Sequence, residues 1–216
     1  MEFPFGTKVL EEVKSSINGK ISVIRSLGFG TYIQVEGLTQ SGGIVRDVWR
    51  TALKKVKKQS PSVKSCLILG LGGGSAAGLV KKYWPEAKIT GVDIDPTMVS
   101  LGEKYLKLEE VDVEIADAYD FAEKAAKKRD KYDLVLIDTY VGDKYPEKFE
   151  SQEFILLVNR LLAKRAIAIF NRLYYDEKRP QAVKFGAKLE KVFPSVECLY
   201  PQANLMLICS ATIEKG

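Results

Sequence analysis

Apolar and polar positions follow two different rhythms along the chain, and the change falls near residue 60. Before it, short alternating runs over 9–15, 21–26 and 31–35 predict strands, with Asn18-Gly19 and the "GFG" of 28–30 supplying the turns. The stretch "EGLTQSGG" reads as a loop, and a helix follows over 45–57. Beyond "KQSPSVK" (58–64), strands over 65–69, 88–93, 111–115, 132–137 and 165–170 alternate with helices over 75–83, 96–106, 118–128, 152–162 and 177–192. Asp95 stands as an N-cap, with Pro96 at the first helical position. Two closing runs, 196–200 and 205–210, have no helix between them and predict an antiparallel hairpin joined through "PQAN". The fold class is therefore α/β: a Rossmann-like, seven-stranded, mostly parallel sheet with a terminal antiparallel hairpin, preceded by a small N-terminal antiparallel β-meander. Residues 1–60 are expected to hold the meander and its helix, and 61–216 the ligand-binding Rossmann-like domain.

Composition narrows the chemistry. The 216 residues are 46% hydrophobic and 28% charged, enough for a real core. No apolar run approaches the ~18 residues of a membrane span, and the start lacks the basic and apolar regions of a signal peptide, so a cytoplasmic address is expected. Cys66, Cys198 and Cys209 each sit in a strand-like run and are expected to be buried, reduced thiols. The absence of histidine removes Ser-His-Asp and Cys-His catalysis and HExxH zinc sites; no metal is expected. Proton transfer falls to carboxylates, Tyr, Lys or water. The formal charge of +5 comes with Lys54, Lys55, Lys57 and Lys58, and with Lys124, Lys127, Lys128 and Arg129, at predicted helix ends. There they complement the helix dipole, and a nucleic-acid footprint is the weaker reading.

Ligands of open α/β sheets bind beyond the carboxyl ends of the strands. After the first strand of the large sheet comes the glycine run in "LILGLGGGSAAG" (67–78), where Gly70, Gly72, Gly73 and Gly74 admit close backbone approach and the next helix offers free N–H groups. After the second comes Asp93, 23 residues past Gly70, placed to accept from ribose hydroxyls, with Ile94 beside it. After the third come Asp117 and Ala118; Asp117 is either an adenine acceptor or a helix cap. After the fourth comes Asp138, a carboxylate directly behind "LVLI" that has to be satisfied by a partner or kept for function. Gly72, Gly74 and Ala77 also spell GxGxxA, the pattern of NAD sites. Three strand-end acids and a closing hairpin fit an S-adenosylmethionine-type ligand better, because it has a nucleoside and a sulfonium but no pyrophosphate.

The pieces resemble, in order and spacing, the spermidine synthase family of the S-adenosylmethionine-dependent methyltransferase superfamily. "EVKSSINGKISV" and "GTYIQVEGLTQSGG" are similar to that family's N-terminal meander with its "LxLDGxxQ" stretch, which places Gln40. The glycine run stands for "GGGDGG", "GVDID" for "VEID", "ADAYDF" for "GDAxxF", and "YDLVLIDTYVGDKYPEKFESQEF" for "YDVIIxDSSDPxGPAxxLFxxxFY". The resemblance implies that Asp93 binds ribose, Asp117 adenine, and that Asp138 orients and deprotonates the acceptor, with Tyr140 lining the pocket. It also implies departures. Ser75 replaces the acid that holds the donor's amino group, Val141 replaces a polyamine-binding acid with Asp143 close by, and Trp49-Arg50 stand for a Tyr-Gln or Tyr-His pair.

A polyamine site has to surround two ammonium groups with carboxylates, and at least two of those acids are missing. Arg50 is expected to face the pocket instead. The expected function is an S-adenosylmethionine-binding transferase that moves a methyl group to a small-molecule acceptor. Two alternatives are aminopropyl transfer from decarboxylated S-adenosylmethionine, with Asp138, Asp143 and Glu150 rebuilding the amine site, and a non-catalytic nucleoside-binding or dimerisation module. The loop 139–150 reads either as a substrate lid hinged at Gly142 or as a plain connection. A three-stranded meander cannot hold itself together, so it must pack on the main domain or on a second copy, and a homodimer is expected.

Overall fold

The computed structural model describes residues 6–60 and 62–211. Four antiparallel strands come first: β1 (Thr7–Ser15), β2 (Gly19–Ser26), β3 (Gly30–Val35) and β4 (Leu38–Gly42), paired in that order. The fourth strand lies where the sequence predicted a loop. The helix α1 (Gly43–Gln59) then leads to β5 (Ser65–Leu69), α2 (Ser75–Tyr83), β6 (Lys88–Asp93), α3 (Pro96–Leu106), β7 (Asp112–Ile115), α4 (Ala118–Lys128) and β8 (Tyr132–Ile137). A short 3-10 helix (Glu147–Glu150) precedes α5 (Gln152–Leu161), β9 (Leu162–Leu173), α6 (Lys178–Leu189), β10 (Ser195–Leu199) and β11 (Asn204–Ser210).

The seven strands of the large sheet run in the order β10-β11-β9-β8-β5-β6-β7, parallel except where β11 pairs with β10 and β9. Because successive side chains point to opposite faces, each buried strand feeds two cores. Cys66, Ile68, Leu134, Leu136, Ile167 and Ile169 face α1 and α2. Leu67, Leu69, Val135, Ile137, Ala168 and Phe170 face α4, α5 and α6. Of the three thiols, Cys66 and Cys209 are buried as expected, whereas Cys198 is exposed because it lies on β10, an edge strand.

The small sheet presses Ile21, Val23, Ile33 and Val35 onto Met98 and Leu101 of α3. A buried acid fixes that docking. Asp95 caps α3 by accepting from the Thr97 N–H, and its other oxygen accepts from Ser15 Oγ at 2.5 Å and Asn18 Nδ2 at 2.6 Å. On α1, Val48, Trp49, Ala52, Leu53 and Val56 form one apolar stripe buried against the large sheet. Among the described residues, no helix is long and apolar enough to cross a membrane.

Candidate active site

The strand order reverses between β5 and β8, so the loops behind them part and leave a crevice. A cavity of about 620 Å³ occupies it, roofed by β4, the start of α1 and the loop after β8. The glycine run forms its floor. Gly70 has φ +89°, and a Cβ there would collide with the Asp138 carbonyl oxygen, so only glycine lets β5 and β8 close together. The Gly72 N–H donates to Asp93 Oδ2 at 2.6 Å, and the Gly73 N–H donates to Ser41 Oγ at 2.7 Å. Gly70, Gly72 and Ser75 line the cavity. Gly74, also predicted to contact ligand, lies outside the lining: at φ +86° it turns the chain into α2 with Leu108 packed upon it. Ser75 Oγ accepts from the Gly42 N–H at 2.6 Å, which leaves the hydroxyl proton free to donate into the cavity.

The three strand-end acids meet here. Asp93, with Ile94 beside it, accepts from the Asp95 N–H through its second oxygen, and burial raises its pKa despite these N–H donors. Asp117 is a helix cap, one of its two expected roles. Oδ1 caps α4 through the N–H groups of Tyr119 and Asp120, while Oδ2 pairs with Lys148 at 2.5 Å, and Asp117, Ala118 and Lys148 all line the cavity. Burial pushes this carboxyl up, but the Lys148 ammonium and the cap N–H groups hold it below the usual range. Asp138 accepts from Trp49 Nε1 at 2.9 Å and from Asn171 Nδ2 at 2.8 Å. Burial raises it to about 6, those two donors pull downward, and the nearby Asp93 charge adds to the rise.

Around Asp138 the lining is aromatic and amide-rich. Gln40 Nε2 reaches across to the Gly142 carbonyl at 3.2 Å, tying β4 to the tip of the loop over the cavity. Tyr140 OH accepts from the Leu173 N–H at 2.7 Å, and burial drives its phenol well above the ordinary range, so it stays neutral and can donate. Besides Gly74, two predicted residues do not arrive. Arg50 is exposed and pairs with Asp47 one turn back, because Trp49 takes the inward face of α1 and the next residue turns about 100° towards solvent. Asp143 lies outside the lining and pairs with Lys178 at 3.4 Å. Glu150 is likewise committed elsewhere, to the buried Arg172 at 2.5 Å.

The sequence reading missed Ser41, Lys148, Asn171, Tyr175 and Asn204, all of which line the cavity. Asn204 Nδ2 donates to Asn171 Oδ1 at 2.8 Å, so a carboxamide relay runs from β11 through β9 to Asp138. Asn171 follows the apolar run "AIAIF", and inspecting the residue behind that strand, as was done for the other four, would have found it.

The family model for the spermine/spermidine synthase domain matches residues 51–208. The chain belongs to this family. Among relatives within and around the spermine/spermidine synthase family, the polyamine aminopropyltransferase of Vibrio vulnificus is 30% identical over 135 residues, 59% of this chain and 45% of that protein. The eEF1A lysine and N-terminal methyltransferase homolog of Drosophila pseudoobscura pseudoobscura is 30% identical over 160 residues, 69% of this chain and 23% of that one. The chain thus spans less than half the length of these curated relatives. The spermidine synthase of Thermotoga maritima superposes with a TM-score of 0.75 at 18% identity, covering 96% of this chain and 74% of that structure, which shows a shared fold.

Proposed function

We propose that the chain is an S-adenosylmethionine-dependent transferase that moves a methyl group to a small-molecule acceptor. One observation carries this reading: Asp93, Asp117 and Asp138, behind β6, β7 and β8, are the only carboxylates lining the cavity among the described residues. The volume falls within the range of small-molecule sites. Asp93 would accept from ribose hydroxyls and Asp117 from an adenine amino group. Ser75, with a proton to donate at the start of α2, suits a carboxylate better than an ammonium. S-adenosylmethionine, when bound, supplies an activated methyl group and its own leaving group. The protein's task is then to align the acceptor, exclude water and take up a proton. Asp138, held by Trp49 and Asn171 with its pKa raised to about 6, is the group for that last step, and Tyr140 orients the acceptor.

Aminopropyl transfer from decarboxylated S-adenosylmethionine is the second reading, favoured by the name of the Vibrio relative. It would need further carboxylates around the second ammonium, and Asp143 and Glu150 are engaged by Lys178 and Arg172 outside the cavity. A non-catalytic nucleoside-binding module is the third. Calorimetric titration with S-adenosylmethionine, its decarboxylated form and NAD tests all three ligand classes. Tighter binding of S-adenosylmethionine is expected; a preference for the decarboxylated donor would restore aminopropyl transfer, and binding of NAD alone would sink the reading. A cytoplasmic homodimer completes the proposal. In its support, Leu27 and Phe29 at the β2–β3 turn are 91% and 64% exposed.

A further inference from the structure

The only cation lining the cavity among the described residues is Lys148, and it sits against Asp117. Its backbone is held in place. The Lys148 carbonyl accepts from Ser151 Oγ at 2.8 Å, and the neighbouring Glu150 is clamped through Arg172 and through Lys188 Nζ, which donates to its carbonyl at 2.8 Å. The side chain is looser. It is 46% exposed, and its ammonium lies between Oδ2 of Asp117 and the Phe149 ring, whose centroid is 5.2 Å away. The first oxygen of Asp117 is occupied in capping α4. An arriving base therefore has to share the second oxygen with the ammonium or displace it.

We propose that Lys148 is a specificity-determining residue, competing with the exocyclic amine of adenine for Asp117 and swinging to solvent when adenine binds. The inference rests on the proposed nucleoside site. An ion pair this exposed is weak, so displacing it lowers affinity by no more than about fivefold. It also has a consequence for the base: a 6-oxo purine presents an acceptor where adenine presents an amine, and Lys148 in its resting place would donate to it. The residue thus narrows the preference for adenine.

The test is calorimetry on the full chain with S-adenosylhomocysteine and S-inosylhomocysteine, at low and high salt, for wild type, Lys148→Met and Lys148→Arg. Wild type should bind the adenosyl ligand more tightly as salt rises, because screening weakens the competing pair. Lys148→Met should bind it about two- to fivefold more tightly, lose that salt response and bind the inosyl ligand less well, while Lys148→Arg should resemble wild type. Equal weakening of both ligands by Lys148→Met would make the residue a strut of the loop and overturn the inference alone. So would an unchanged ratio of the two affinities. A wild-type chain that binds neither ligand would overturn the nucleoside site itself, and this inference with it.

Discussion

Asp138 is a carboxylate whose proton affinity is set by three neighbours on three separate elements. Burial and the Asp93 charge raise it to about 6, and the N–H groups of Trp49 and Asn171 restrain the rise. Below that pH the carboxyl keeps its proton and has no free base to offer; above it the carboxylate accepts. Methyl transfer to a protonated acceptor should therefore rise with pH through about 6 and then level off, as read from initial rates across a pH series. Trp49→Phe removes one restraining donor, so the same limb should move to higher pH. An unmoved limb would assign it to the acceptor instead. If Asp138 serves the acceptor as proposed, Asp138→Asn should lower turnover by about 10²-fold or more while leaving donor affinity nearly intact. Equal loss of both would place Asp138 in donor binding.

At the scale of elements, the α/β alternation was legible because buried parallel strands are apolar and their helices amphipathic. The strands β5, β6 and β8 begin and end where the pattern places them. Two elements carried no such pattern. In β4 the sequence "LTQSG" holds a single large apolar residue, and its burial comes from Ser41 and Gly42, which pack on the glycine run. In β9 the apolar run stops at Phe170, yet the strand continues to Leu173, where pairing of Arg172 with Leu205 and Leu173 with Asn204 extends it. Those two ends carry Ser41 and Asn171, two cavity residues that the apolar pattern did not point to. The β4 contact has a measurable cost. Ser41→Ala leaves the buried Gly73 N–H without its acceptor and should cost ~1–3 kcal/mol in chemical denaturation. A neutral result would mean that water substitutes there.

Across the whole molecule, the small sheet meets α3 through an apolar cluster, the buried Asp95 and the pairing of Glu11 with Lys104 and Tyr105, and meets the glycine run through Ser41. Burial works against the charge of Asp95, but the donors Ser15, Asn18 and the Thr97 and Met98 N–H groups outweigh it and hold its pKa below the usual range. A depressed carboxylate contributes stability above its unfolded value of ~3.9, and that contribution disappears as pH falls through the lower folded value. Asp95→Asn should therefore be less stable at neutral pH, and the gap from wild type should close in acid, as followed by thermal melts between roughly pH 2 and 7. A gap independent of pH would mean that the loss is one of shape rather than charge. For the assembly, light scattering at micromolar concentration should report a dimer, and a clean monomer would leave Leu27 and Phe29 to another purpose. The matched family segment starts at residue 51, two residues after the indole that touches Asp138. The segment before it thus reaches into the site and restrains the proton affinity of Asp138 through that indole. Grafting another family member's first fifty residues onto this chain would exchange the indole beside Asp138 together with the Ser41 and Gly42 contacts to the glycine run and Ser75, so both the pH limb and ligand affinity should shift.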